Sequence, residues 1–340
     1  MLIYAKKVDD ERHIYGTLTS TVPSDDDSRI EVVASGEPTL NDKFYNDGKG
    51  GIKDADGNSV IIKIDGVQVV PKLKGGEDSP VIVDPEDPEG IKDVIAEAIA
   101  EGKEVTIELV GDTTTHGVIV PEGANVTLNL NGYEYDPIPD ENGEYAGSAG
   151  TKTQAMQLLK DSTVVIKGGT VTGNNDNPKT KMVIQNYSNL TLDGVTVQDA
   201  GNDKYALSNN FGEIHLKNGT HINATGNHVA FDLWYGMNKD GLYDEGITVY
   251  IDTPDVVING PIEFGHDKRI TDEEQFLAKT HLYVCAGYDV DSLTIINSTS
   301  GSSVEYEFLF NDEIGYYELV PYQKEAEEPV EEEPKEETEA

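Results

Sequence analysis

The sequence predicts an all-β chain organised around a solenoid, a coil of short strands stacked turn upon turn. Three observations carry this. One phrase recurs between residues 105 and 301: β-formers at alternate positions, a turn containing glycine, then a second short strand. It reads VTLNLNGYEY (126–135), STVVIKGGTV (162–171), SNLTLDGVTV (188–197), GEIHLKNGTHI (212–222) and PDVVINGPIEF (254–264), and more weakly, without the glycine, DSLTIINST (291–299). Second, Val164, Leu190 and Ile214 follow at intervals of 26 and 24 residues, about one turn of a three-strand coil with short corners. Third, hydrophobic residues make up only 37% of the 340, as expected where thin β layers leave much surface wet.

Each element follows from its local pattern. Within residues 1–75, LIYAKKV, HIYGTLTST and RIEVVAS alternate apolar and polar side chains, predicting a small β-rich domain. IIKI (61–64), Asp65-Gly66 and VQVV (67–70) predict a hairpin, because Asp-Gly supplies the positive φ of a tight turn. KDADGN (53–58) has the look of a calcium loop but lacks the remaining ligands, so it reads as a turn. Prolines and acids in residues 76–90 predict a stiff, solvated linker.

The period then changes. Ile91, Val94, Ile95, Ala98 and Ile99 share one helical face, and Gly102 ends the helix. This helix is expected to cap the open edge of the first turn, which would otherwise invite aggregation. The solenoid proper is indexed by Leu128, Val164, Leu190, Ile214, Val256 and Leu293 as first-strand residues. Longer steps are filled by DPIPDENGEYAGSAG, WYGMNKDGLYDEG and GHDKRITDEEQF, read as insertions. No turn can bury its apolar face alone, so its neighbours must complete the core. EYEFLFNDEIGYYELVPY (305–322) predicts a closing hairpin turned near Asn311 and Asp312. Residues 323–340, dense in like charge and nearly without apolar side chains, are expected to be a disordered acidic tail.

A short helix followed by VTIELVGD, GVIVPEGANVTLNLNG and the stacked phrases resembles the right-handed parallel β-helix of the pectate-lyase superfamily, over roughly residues 88–320. That resemblance implies architecture; the superfamily includes lyases, hydrolases, adhesins and bacteriophage appendages. The layout of small N-terminal β unit, Pro-rich linker and β-helix, with no signal peptide read at the N-terminus, also resembles bacteriophage virion appendages such as head or tail fibres. In those proteins the N-terminal part docks on the particle and the solenoid projects. The resemblance implies other virion structural proteins as partners, association as a homotrimer, and a place on the virion surface.

The net charge of −39 argues against nucleic acid and anionic membranes as partners, because both are bound through Lys and Arg. The run MLIYAKKVDDERH lacks the pattern of a secretory signal, and no apolar stretch approaches the ~20 residues of a membrane span. The single cysteine, Cys285, excludes an internal disulfide and reads as an inert thiol between strand residues.

Candidate chemistry is sparse, and neither cofactor nor metal is expected. A lyase of the resembled fold implies acidic calcium ligands and a basic proton acceptor. Arg269 lies in an insertion, Lys167 and Lys217 face solvent, and Asp193 is a corner residue. Glu213, Asp232 and Asp199 are carboxylates that stacking can bring together, as glycoside hydrolysis requires of an acid pair. His215, His221 and His228 match no metal-ligand spacing. The candidate recognition surface is the segment around the only tryptophan: Asp232, Trp234, Tyr235 and Tyr243, where aromatic faces beside an acid suit a sugar ring. The expected function is a structural appendage binding a host or surface glycan. A polysaccharide depolymerase and a non-catalytic carbohydrate-binding adhesin are the alternatives.

Overall fold

The computed structural model describes residues 81–323 except 84, 86, 101, 103, 149–151, 174–180, 200–203, 239–240 and 243–245. Ahead of them it describes the backbone of six short strands. These six pair antiparallel: β1 (Tyr4–Val8) with β2 (Glu11–Tyr15), β3 (Tyr45–Asn46) with β4 (Ile52–Lys53), and β5 (Ile62–Ile64) with β6 (Val67–Val69). The last pair flanks Asp65-Gly66, as the turn chemistry predicts. Most of residues 1–80 and the acidic tail beyond residue 323 lie outside the described residues.

The body of the chain is all-β, with parallel strands in three columns. Strand β7 (Val81–Ile82) and helix α1 (Gly90–Ala100) precede it. The first pass is β8 (Val105–Glu108), β9 (Thr113–His116) and β10 (Val118–Val120). The second is β11 (Asn125–Asn129), β12 (Glu134–Ile138) and β13 (Gln154–Leu158). In the next two passes one long strand serves two columns: β14 (Thr163–Thr172) then β15 (Met182–Asn186), and β16 (Asn189–Gln198) then β17 (Tyr205–Asn209). The fifth pass is β18 (Gly212–Lys217), β19 (His221–Asn223) and β20 (Val229–Tyr235), followed by a small hairpin of β21 (Met237–Asn238) and β22 (Gly241–Leu242). The sixth is β23 (Ile247–Ile251), β24 (Val257–Asn259) and β25 (Ile262–His266), followed by the short helix α2 (Glu273–Leu277). The last is β26 (Thr280–Cys285) and β27 (Ile295–Asn297), closed by β28 (Tyr306–Asn311) and β29 (Tyr316–Pro321).

Successive passes extend the same columns by parallel pairing, the second column ending at β24, an order compatible with a β-helix-like solenoid. The third column alone is a seven-stranded parallel sheet. Glycine makes the corner between the first two columns. Gly169 has φ of 126°, and a Cβ there would meet the Tyr133 carbonyl oxygen at 2.4 Å.

Register places like with like. Val105, Val126, Val164, Leu190, Ile214, Val249 and Leu282 form one inward row, and Ile107, Leu128, Ile166, Leu192, Leu216, Ile251 and Val284 the next. All are buried, most of them completely. Each such side chain contributes about 1.5–3 kcal/mol over its exposed state, and only neighbouring turns supply the burial. At a corner of the third column apolar packing gives way to Asn186 and Asn209. Both are fully buried, and the Asn186 amide donates to Asn209 Oδ1 at 3.3 Å.

Both ends are covered. Ile91 and Ile95 of α1 are buried on the first pass. At the far end β29 pairs antiparallel with β26, and β28 with β29, at the hairpin expected from residues 305–322.

Two placements differ from the sequence reading. Val256 and Leu293 do not continue the row of Val164, Leu190 and Ile214; Val249 and Leu282 do. The phrase at 254–264 supplies the second and third columns of its pass, and ITVYI of β23 supplies the first. A strand–turn–strand phrase carries no mark of which corner it spans. Second, Val81–Ile82, within the stretch read as linker, pairs parallel with β8, and Val83 is buried. The β-branched trio outweighs its acidic, proline-rich surroundings.

Candidate functional site

The segment around Trp234 is split by strand parity. On β20, Phe231, Leu233 and Tyr235 point into the core and are fully buried. Tyr235 packs against Phe276 with ring centroids 6.4 Å apart, so its face is closed to a sugar. Asp232 points the other way yet is also buried. Its Oδ1 accepts the Asn209 backbone N–H at 2.6 Å and its Oδ2 the Ser208 hydroxyl at 3.2 Å. Burial pushes its carboxyl up to about 8. Trp234 is half-buried, and Tyr243 lies outside the described residues. Of the four predicted residues, only Trp234 therefore presents a described aromatic surface.

The other sequence candidates are dispersed. Glu213 belongs to the first column, Asp199 to the end of the second and Asp232 to the third, so these carboxylates do not converge. Arg269 is held by Asp267 through Nε and Nη2 at 2.9 and 2.8 Å. Asp193 accepts the Asn218 amide at 2.7 Å, a corner contact. His228 bonds Asp199 at 2.7 Å, away from His215 and its carboxylates. Among the described residues no group of three His, Cys, Asp or Glu side chains is arranged to hold a metal. Cys285 is buried, which pushes its thiol up.

A cluster of rings and carboxylates lies on the outward face of the first column, over the last three passes. It follows from parity. In GEIHLK, Ile214 and Leu216 are buried, so Glu213 and His215 face out; in ITVYI, Tyr250 does; in THLYVC, His281 and Tyr283 do. Register aligns His215, Tyr250, Tyr283 and Glu318 in one row. His215 stacks on Tyr250 at 4.8 Å and 5°, and Tyr250 on Tyr283 at 5.2 Å and 27°. Tyr316 of the closing hairpin stands edge-on to Tyr250 at 5.7 Å and to Tyr283 at 6.4 Å.

Carboxylates rim the stack. His215 Nδ1 lies 2.8 Å from Asp252 and its Nε2 2.9 Å from Glu213. The Tyr316 hydroxyl donates to Asp252 at 3.2 Å and the Tyr283 hydroxyl to Glu318 at 3.3 Å. The hydrogen bond to Asp252, aided by Glu213, holds the His215 imidazole above its ordinary value and favours the cation. Burial, then the nearby carboxylates, push up the phenols of Tyr250 and Tyr316, and that of Tyr283 to about 12. The phenols stay neutral, and the His215 imidazole is held between two acids. The stacked rings cover one another's faces. What they present outward is edges, hydroxyls and carboxylates, a surface of hydrogen-bond donors and acceptors.

No family model, curated protein or solved structure matches this chain.

Proposed function

We propose that the protein is a structural appendage of a bacteriophage particle, a head or tail fibre. In this reading its coil is a right-handed parallel β-helix projecting from the surface. Residues 1–75 dock on other virion proteins, and the outward strip of His215, Tyr250, Tyr283 and Tyr316 meets a surface glycan. The observation that carries the reading is one apolar interior running through every pass and covered at both ends. That construction favours stiffness and reach. The strip adds hydrogen-bonding contact groups to that coil. Association as a homotrimer belongs to the same proposal, by analogy with long β fibres.

Locating the protein by electron microscopy on particles from its source tests the assignment. Deleting residues 1–75 should leave a folded coil that no longer joins particles; incorporation of the truncated chain would refute the division of labour. Glycan-array binding should fall on Tyr250→Ala. Release of reducing ends from a bound polymer would replace this reading with a depolymerase.

A further inference from the structure

Strand β28 ends the long sheet, and among the described residues no strand pairs with its outer edge. Two hydrogen bonds fix which backbone groups face that edge. Tyr322 N–H donates to Glu305 O at 2.8 Å, and Gly315 N–H to Asn311 O at 2.9 Å. Backbone groups alternate sides along a strand, so those of the odd-numbered residues face β29 and those of Tyr306, Phe308 and Phe310 face outward. Exposed apolar side chains gather on the same hairpin: Leu309 is 52% exposed, Phe310 45%, Ile314 47% and, just past its end, Tyr322 52%. YEFLFN contains neither the lysine nor the proline that usually guards an edge.

The remaining segments of this chain do not suit the edge. Residues 324–340 are mostly Glu, with Pro329 and Pro334 and a single branched aliphatic, Val330. The N-terminal residues enter the same sheet at its opposite end, through β7 beside β8. The geometry points to a second copy of this chain as the occupant, pairing antiparallel edge to edge about a two-fold axis at Phe308. Phe308 then faces Phe308 of the second copy, Tyr306 faces Phe310, and Glu307 faces Leu309. Every outward N–H and C=O of the three residues gains a partner. Sliding the register to set Tyr306 against Phe308 would oppose Glu307 to Glu307 and leave Phe310 unpaired. The contact joins distal tips and is independent of how residues 1–75 dock. Since each chain carries a net charge of −39, salt should strengthen it by screening repulsion.

Light scattering of the full chain across concentration and salt is the test. The expected result is a concentration-dependent doubling of the mass of the basal assembly, monomer or trimer, favoured by salt. Phe310→Pro removes an N–H that only the second copy uses, and should weaken that association at least about tenfold with circular dichroism unchanged. If proline disturbs the hairpin, cysteines decide. Glu307 and Leu309 of opposite copies form a non-hydrogen-bonded pair within disulfide reach. Oxidising Glu307→Cys mixed with Leu309→Cys should give a covalent heterodimer, and Glu307→Cys should not link to itself. No doubling under any condition, a doubling indifferent to a folded Phe310→Pro, or failure of the mixed cross-link would overturn the proposal, as would self-linking of Glu307→Cys.

Discussion

Replacing Leu192 by alanine should remove a side chain that neighbouring turns bury from both sides. Leu192 is fully buried, in register between Ile166 and Leu216, which are fully buried too. Large-to-small changes in cores cost about 2–5 kcal/mol, more where the cavity cannot collapse. Strands hydrogen-bonded on either side keep this cavity from collapsing fully, so the middle of that range applies, about 3–4 kcal/mol. For a domain of this size each kcal/mol lowers Tm by roughly 2–4 °C, giving a fall of roughly 6–16 °C. Thr191→Ala, one residue away and facing outward, should stay within about 1 kcal/mol. Thermal and urea unfolding measure both, and hydrogen exchange should place the loss of protection in β14, β16 and β18. Equal, small effects from the two substitutions would mean that the turns do not share an interior, and the stacked architecture would fall.

Other outcomes follow from single contacts. His215 is held above its ordinary value by Asp252 and Glu213, so its stabilising contribution is complete below about pH 6.5 and is lost as pH rises through the raised native value. The Tm gap between the native chain and His215→Ala should therefore shrink toward alkaline pH; a gap that widens would contradict the pairing. Asp232 behaves in the opposite sense to a paired carboxylate: its native carboxyl titrates near 8, far above the unfolded value, so stability falls as pH rises from about 4 to 8. Asp232→Asn should match the native chain near pH 4 and exceed its Tm near pH 8. Gly246 has φ of 81°, and a Cβ there would meet the Lys279 carbonyl oxygen at 2.1 Å. Gly246→Ala should cost about 1–3 kcal/mol and displace the start of β23, with loss of the Tyr250 stacking signal in near-ultraviolet circular dichroism.

Legibility varied with how local the deciding contact is. The steps from Val164 to Leu190 and on to Ile214 were readable because short corners leave little choice of register. The later passes were not, because insertions broke the spacing and the phrase at 254–264 fits two corners equally well. For the candidate site, the cluster of aromatics around Trp234 is conspicuous in one dimension, but strand parity turns Tyr235 inward. The outward strip is the reverse case. His215, Tyr250, Tyr283 and Tyr316 are separated by 35, 33 and 33 residues, each unremarkable in its own strand.

The amino-acid pattern by itself determined that the chain winds in short strands, where its capping helix begins and how its last hairpin turns. Those features depend on alternation, glycine and helical periodicity within a few residues. Only the tertiary structure decided which strand heads each later pass, that Asp232 is buried, and that two imidazoles, three phenols and three carboxylates share one face. These depend on register between strands far apart in sequence. A shift of one residue there would turn every side chain to the opposite face.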